Sequence, residues 1–208
     1  MLNWYLDLKN LLNRKKKNLN KITFYKKQFL IMDWRLVLTL IAFAIYFVYN
    51  AIAVCRFGAP KSLSMTYYNF QELNPKLKWC FPVMMCLMAG LLMPAWIDLS
   101  EGHDLQFMSF LAAVGIIMVG FIPNFKDGRQ ESIMHTCAAI FAAVFALLWV
   151  CLVANMWYVV LIWAVMLIAV AFLSSTWKTA YTYWLETVAF ACTFTSIISY
   201  YLVHFYVV

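Results

Sequence analysis

Polar and apolar positions along the chain separate into long uncharged runs joined by short connectors. Six runs approach 20 residues: 36–54, 79–96, 105–122, 136–154, 157–173 and 187–206. About 20 apolar residues is the length at which an α-helix crosses roughly 30 Å of hydrocarbon. A barrel strand would alternate apolar and polar residues over about ten positions, and these runs do not alternate. The pattern predicts an all-α polytopic membrane protein, a six-transmembrane-helix bundle forming one domain over 32–208, preceded by a basic arm at 1–31.

The runs also suggest how they pack. In the fourth, Ala138, Ala142 and Ala146 recur at four-residue spacing with Ala139 and Ala143 alongside, which lets a neighbouring helix approach closely and predicts a central position. Between Val159 and Leu173 the fifth carries no polar group but the indole of Trp163, so it is expected to face lipid. Pro82 and Pro94 fall in the first and last turns of the second run and read as end markers.

Composition agrees with a membrane setting. With 65% hydrophobic and 12% charged residues and a mean hydropathy of +0.78, the chain has too little polar surface for a soluble globule. Localisation follows as an integral membrane protein, in the cytoplasmic (inner) membrane if the source is bacterial. The net charge of +7 gathers in the N-terminal arm, which suits lipid headgroups better than nucleic acid. There Trp4, Leu8, Leu11 and Leu12 precede Arg14-Lys15-Lys16-Lys17 at helical spacing, so the arm reads either as an amphipathic helix on an anionic leaflet or as an extension without a role. A cleaved signal ending near Ala51-Ile52-Ala53 is a third reading, set against an unusually long basic stretch ahead of it.

Six spans place both termini on one side of the bilayer. That side collects nine Lys and Arg residues against seven on the other, so the positive-inside bias puts it in the cytoplasm. Eight of the nine precede Met32; if translation starts there, one remains and the expected orientation inverts.

Few motifs carry chemistry. The six cysteines form no C-x-x-C pair or zinc-ribbon spacing; Cys55 and Cys80 could pair in an oxidising compartment, or all six could be free thiols. No Gly-rich phosphate loop, nucleophile elbow or H-E-x-x-H is present, and nothing calls for a cofactor. His103 and His204 fall on the side of the termini while His135 opens the fourth span from the other, so one zinc ion cannot gather all three. Asp98, Glu101, His103 and Asp104 form an acidic connector that reads as solvated or as a weak cation site.

The intramembrane polar positions are more informative. Counting 100° per residue from Glu186 places Thr193, Ser196, Tyr200 and His204 within about one 80° stripe, a polar seam along the sixth span. Thr39, Tyr46, Tyr49 and Asn50 share a face of the first span, and the two faces could meet around a wet interior or a hydrogen-bonded contact. Beside them on the side away from the termini lies the longest connector, FGAPKSLSMTYYNFQELNPKLK at 57–78, whose interleaved hydroxyl and apolar residues suit a lid over a pocket or an interfacial anchor. The expected pocket joins His135 and Glu186 with Arg56, Asn50, Ser64 and Tyr68.

The segment GFIPNFKDGRQESIMHTCAAIFAA at 120–143 places Pro123 at the close of the third span and His135 at the opening of the fourth, ahead of small residues such as Ala139. In this it resembles the Frag/DRAM-type group of six-helix membrane proteins. The resemblance implies a role in lipid or GPI-anchor handling or in membrane trafficking.

Three functions remain open from the residues: action through packing or partner proteins, handling of a lipid or small solute along the polar seam, and membrane-embedded hydrolysis or group transfer. The last would need Ser62 or Ser64 within reach of His135.

Overall fold

The computed structural model describes residues 34–207, with side chains described for 34–203; the arm at 1–31 and the His204 side chain lie outside these. Among the described residues all regular structure is helical. Helix α1 spans Trp34–Phe57, and a 3₁₀ turn at Leu63–Met65 leads into the short α2, Thr66–Leu73. A second 3₁₀ turn, Leu77–Trp79, runs into α3, Cys80–Leu99. Then come α4 at Phe107–Phe121, α5 at Arg129–Leu148 with a π-helical turn at Trp149–Val153, α6 at Trp157–Leu173 and α7 at Trp177–Val207.

Four stretches are long and apolar enough to cross a membrane: Trp34–Phe57, Leu77–Leu99, Arg129–Val153 and Trp177–Val203. Helices α4 and α6 are apolar but have 15 and 17 residues, or roughly 22 and 26 Å of axis. The α4 run looked longer in the sequence because Leu105, Gln106 and Ile122 are apolar or uncharged yet lie outside the helix. Residue class alone does not separate the last turn of a helix from the connector beyond it.

Five helices close a circuit. Helix α3 packs along α1 and α4, α4 along α5, α5 meets α7, and α7 returns to α1. The α4–α5 seam is tightest at Gly115, where a Cβ would lie 2.8 Å from the Ala142 backbone; Ala138, Ala142 and Ala146 are buried along the same helix. Helix α6 sits outside the circuit against α7 and the π-helical turn. It buries only Val159, while Phe172 and Leu173 are 86% and 87% exposed, so its surroundings have to be apolar too.

Pro82 lies in the first turn of α3, but α3 continues past Pro94 to Leu99. Pro94 has no N–H to return to the Gly90 carbonyl one turn earlier. Both residues line an open groove that also holds Arg35 and Asp98, and the helix tolerates the proline beside that space.

Candidate functional site

The site begins at a break in α7. Ala180 is fully buried and leaves helical geometry at φ −131°, ψ 25°, so the turn after it presents backbone N–H groups that have no acceptor within the helix. The connector supplies one: Tyr183 N–H donates to the Lys61 carbonyl at 3.2 Å. One turn further on, Glu186 Oε2 accepts from Leu63 N–H at 2.6 Å. Two backbone groups of the connector are thereby pinned to α7, each by a partner more than 120 residues away in sequence.

Hydroxyl groups secure the rest of the connector. Ser62 caps the 3₁₀ turn, its Oγ accepting from Met65 N–H at 3.2 Å, and Ser64 Oγ lies 3.2 Å from it. Thr66 Oγ1 donates to the Leu63 carbonyl at 2.5 Å and is hydrogen-bonded to Tyr49 OH. Asn50 joins α1 to α7: its Oδ1 accepts from Tyr183 OH at 3.1 Å while its Nδ2 donates to the Tyr46 carbonyl at 2.8 Å. This knot of α1, α7 and connector contains Asn50, Ser64 and Glu186.

Beneath the knot, α3, α4, α5 and α7 leave a narrow cleft of about 60 Å³. Its walls are apolar: Phe81, Leu92 and Trp96 from α3, Ile116 and Val119 from α4, Ala139 and Ala143 from α5, Ala189 and Phe190 from α7. Ala139, Ala143, Ala189 and Phe190 stay half-exposed, which places the open flank of the cleft between α5 and α7. Polar lining comes from Ser64, Glu186 and Thr193, and the Thr193 hydroxyl is spent on the Ala189 carbonyl at 3.1 Å. Glu186 has one oxygen on Leu63; the other carries no hydrogen bond or ion pair among the described residues.

No protein-family model, curated protein or solved structure matches this chain. What it does therefore has to be argued from its own geometry.

His135 and Tyr68 belong to a second cluster. The buried His135 ring bonds the Ile122 carbonyl through Nδ1 at 2.6 Å, which puts the proton on Nδ1 and leaves Nε2 as a buried acceptor without a partner. Phe125 stacks on this ring at 4.8 Å, and Tyr68 meets Phe125 edge-on at 5.4 Å. Tyr68 OH accepts from Lys126 N–H at 2.8 Å, and the Lys126 ammonium lies 4.5 Å from the centre of the Tyr68 ring. Burial raises the Tyr68 phenol above its ordinary pKa, and the bond from Lys126 opposes that shift.

The six pocket residues expected from sequence thus divide. Asn50, Ser64 and Glu186 gather in the knot, His135 and Tyr68 form the second cluster, and Arg56 stands exposed at the end of α1 with no ion pair to either. Backbone partners explain the division: Leu63 N–H satisfies Glu186, and the Ile122 carbonyl satisfies His135. Ser64 is bonded to Ser62 rather than to His135, so no serine–histidine pair forms there.

Along the seam, Ser196 is fully buried with its hydroxyl unbonded among the described residues, Tyr200 is half-buried, and Phe190, Phe194 and Ile197 pack between these polar positions. The matching face of α1 does meet α7, with Tyr46 against Phe190 and Phe194 at 4.8 and 5.9 Å.

The opposite end of the bundle is tied by three polar contacts. Asp98 pairs with Arg35 and accepts from Tyr201 OH at 2.9 Å. Trp149, fully buried in the π-helical turn, donates from Nε1 to Ser100 Oγ at 2.8 Å and meets Trp96 edge-on. Asp98 is therefore engaged in the fold, and no cluster of three metal-ligating residues exists among the described residues. Cys55 and Cys80 are exposed and unbridged.

Proposed function

We propose that the chain is a six-crossing membrane protein that handles lipid by receiving an apolar chain into its central cleft. The cleft carries this reading. Along α3 its lining runs from Phe81 to Trp96, about 22 Å of helix axis. Ser64 and Glu186 lie at its connector end, as a chain with a polar head requires, while the Thr193 hydroxyl further along is already bonded to Ala189, and its open flank between α5 and α7 gives on to the bilayer.

Helix direction supports the reading of six crossings. Helix α1 runs from the Arg35–Asp98 contact to the knot, α7 from the knot back to Asp98, and α5 from His135 to Trp149 beside Ser100. Helices α3, α5 and α7 thus share one sense, opposite to α1, and for that the short α4 and α6 have to return the chain across the bundle. A helix of 22–26 Å does so where the bilayer thins locally or flanking residues reach the interface. The resemblance at 120–143 to lipid-handling six-helix proteins fits the same reading, as do membrane lipids as the natural partner.

The test is retention of lipid. Protein purified in mild detergent and examined by native mass spectrometry is expected to keep about one lipid chain per protein, and Ala143→Phe, which fills the cleft from α5, is expected to lose it at unchanged fold. Equal retention by both proteins, or none by either, would overturn the proposal.

A further inference from the structure

Resting on the lipid-cleft reading, the geometry points to a particular class of occupant: we infer that the head of the cleft selects a single-tailed amphiphile with a cationic amine or ammonium head, held by Glu186. Three observations converge there. Glu186 lines the cleft with one carboxylate oxygen committed to Leu63 N–H and the other unbonded among the described residues. No Lys or Arg side chain forms an ion pair with it among the described residues, Arg56, Lys61 and Lys178 all being exposed. A carboxylate bounded by Leu63, Phe81 and Phe190 is poorly solvated, and a cation arriving with the ligand supplies the charge that the protein does not.

The neighbouring surfaces suit the same head. Phe81, in the first turn of α3, and Phe190, one turn beyond Glu186, line the same cleft as the carboxylate, and an ion pair formed among apolar side chains is less screened than one in water. The Leu63 N–H keeps the carboxylate oriented, so binding requires no rearrangement of the acid. A cleft of about 60 Å³ leaves no room for a second chain beside the first, which disfavours two-tailed lipids. An anionic head would face Glu186 directly and is disfavoured.

The inference is tested with the whole protein in phosphatidylcholine nanodiscs, using probes that share a twelve-carbon tail: dodecylamine and dodecyltrimethylammonium as cations, dodecanol as the neutral control and dodecyl sulfate as the anion. Binding is read as displacement of a spin-labelled alkyl chain. Wild-type protein is expected to bind one or both cations about tenfold more tightly than dodecanol, the difference a charge-assisted contact supplies. Glu186→Gln retains an acceptor for Leu63 N–H and is expected to abolish that preference, bringing the affinities for cation and dodecanol together. Dodecyl sulfate should bind weakest to wild type and gain in the variant.

Equal binding of cation and alcohol, with both lost in Ala143→Phe, would overturn the head-group inference and leave the lipid cleft standing. Failure of every probe to displace the label would overturn both. An equal loss of cation and alcohol binding in Glu186→Gln would show that the residue acts only by holding the connector, and would also overturn the inference.

Discussion

Gly115→Ala tests the closest helix contact in the bundle. A Cβ built on Gly115 lies 2.8 Å from the Cα, Cβ and N of Ala142, and two of those three atoms are backbone, so no rotamer relieves the overlap. Separating the helices along the seam of α4 and α5 costs about 1–3 kcal/mol, the usual range for overpacking. Alanine also favours a helix over glycine by up to ~1 kcal/mol, which masks part of that loss. Gly90→Ala removes the ambiguity, because Gly90 is also helical but has nothing within 4 Å of its added Cβ. The difference between the variants isolates the steric cost, and at roughly 2–4 °C per kcal/mol for a chain of this size Gly115→Ala should unfold several degrees below Gly90→Ala. The assay is thermal unfolding of the purified proteins in one detergent, followed by circular dichroism. Ala142→Gly added to Gly115→Ala should recover only part of the loss, since the backbone contacts remain. A Gly115→Ala protein that melts with or above Gly90→Ala would refute the close α4–α5 packing.

Other contacts give sharper readings of single hydrogen bonds. Ser100→Ala leaves the fully buried Trp149 N–H without its acceptor and is expected to cost about 1–3 kcal/mol; Trp149→Phe added to it should be less harmful than in wild type, by a double-mutant cycle in thermal unfolding. Asp98→Ala and Tyr201→Phe should couple by about 1 kcal/mol, because the Tyr201 hydroxyl donates to Asp98, and independent effects would argue against that bond. Glu186→Leu removes the acceptor for Leu63 N–H, so hydrogen exchange over residues 61–66 is expected to accelerate at least tenfold with little change over α4, whereas Glu186→Gln should retain most of the protection.

What could be read in advance depended on whether a residue's partner was a side chain or a backbone atom. Runs of apolar side chains located the helices, and alanines four apart marked the face of α5 that Gly115 meets. Glu186 was legible as a polar group needing compensation, and its association with the connector followed from the order of the spans. Its partner was not legible, because every residue except proline offers an N–H and sequence does not reveal which one is free. The same limit hid the Lys61 carbonyl as the acceptor for Tyr183, which exists because Ala180 breaks the helix with no Pro or Gly to announce it. Tyr183 itself carried a usable signal: it stands three residues before Glu186 and shares its face, as Asn50 shares a face with Tyr46.

The cleft shows a different limit. Small residues at helical spacing predict that two helices can approach closely, yet they cannot say which of two adjacent rows is used. Ala142 closes on Gly115 of α4, yet Ala142 and Ala146 also line the cleft together with Ala139 and Ala143, opposite Ala189 and Phe190. In an aqueous protein, removal of apolar surface from water would press such walls together. Between helices in lipid that pressure is absent, and packing contacts have to close the gap. Two small-residue walls that stay apart, with an uncompensated carboxylate at one end, are what an apolar chain with a polar head would fill. Small residues along α5 therefore serve both ends at once, Ala142 meeting Gly115 of α4 while it and its neighbours leave room for the cleft.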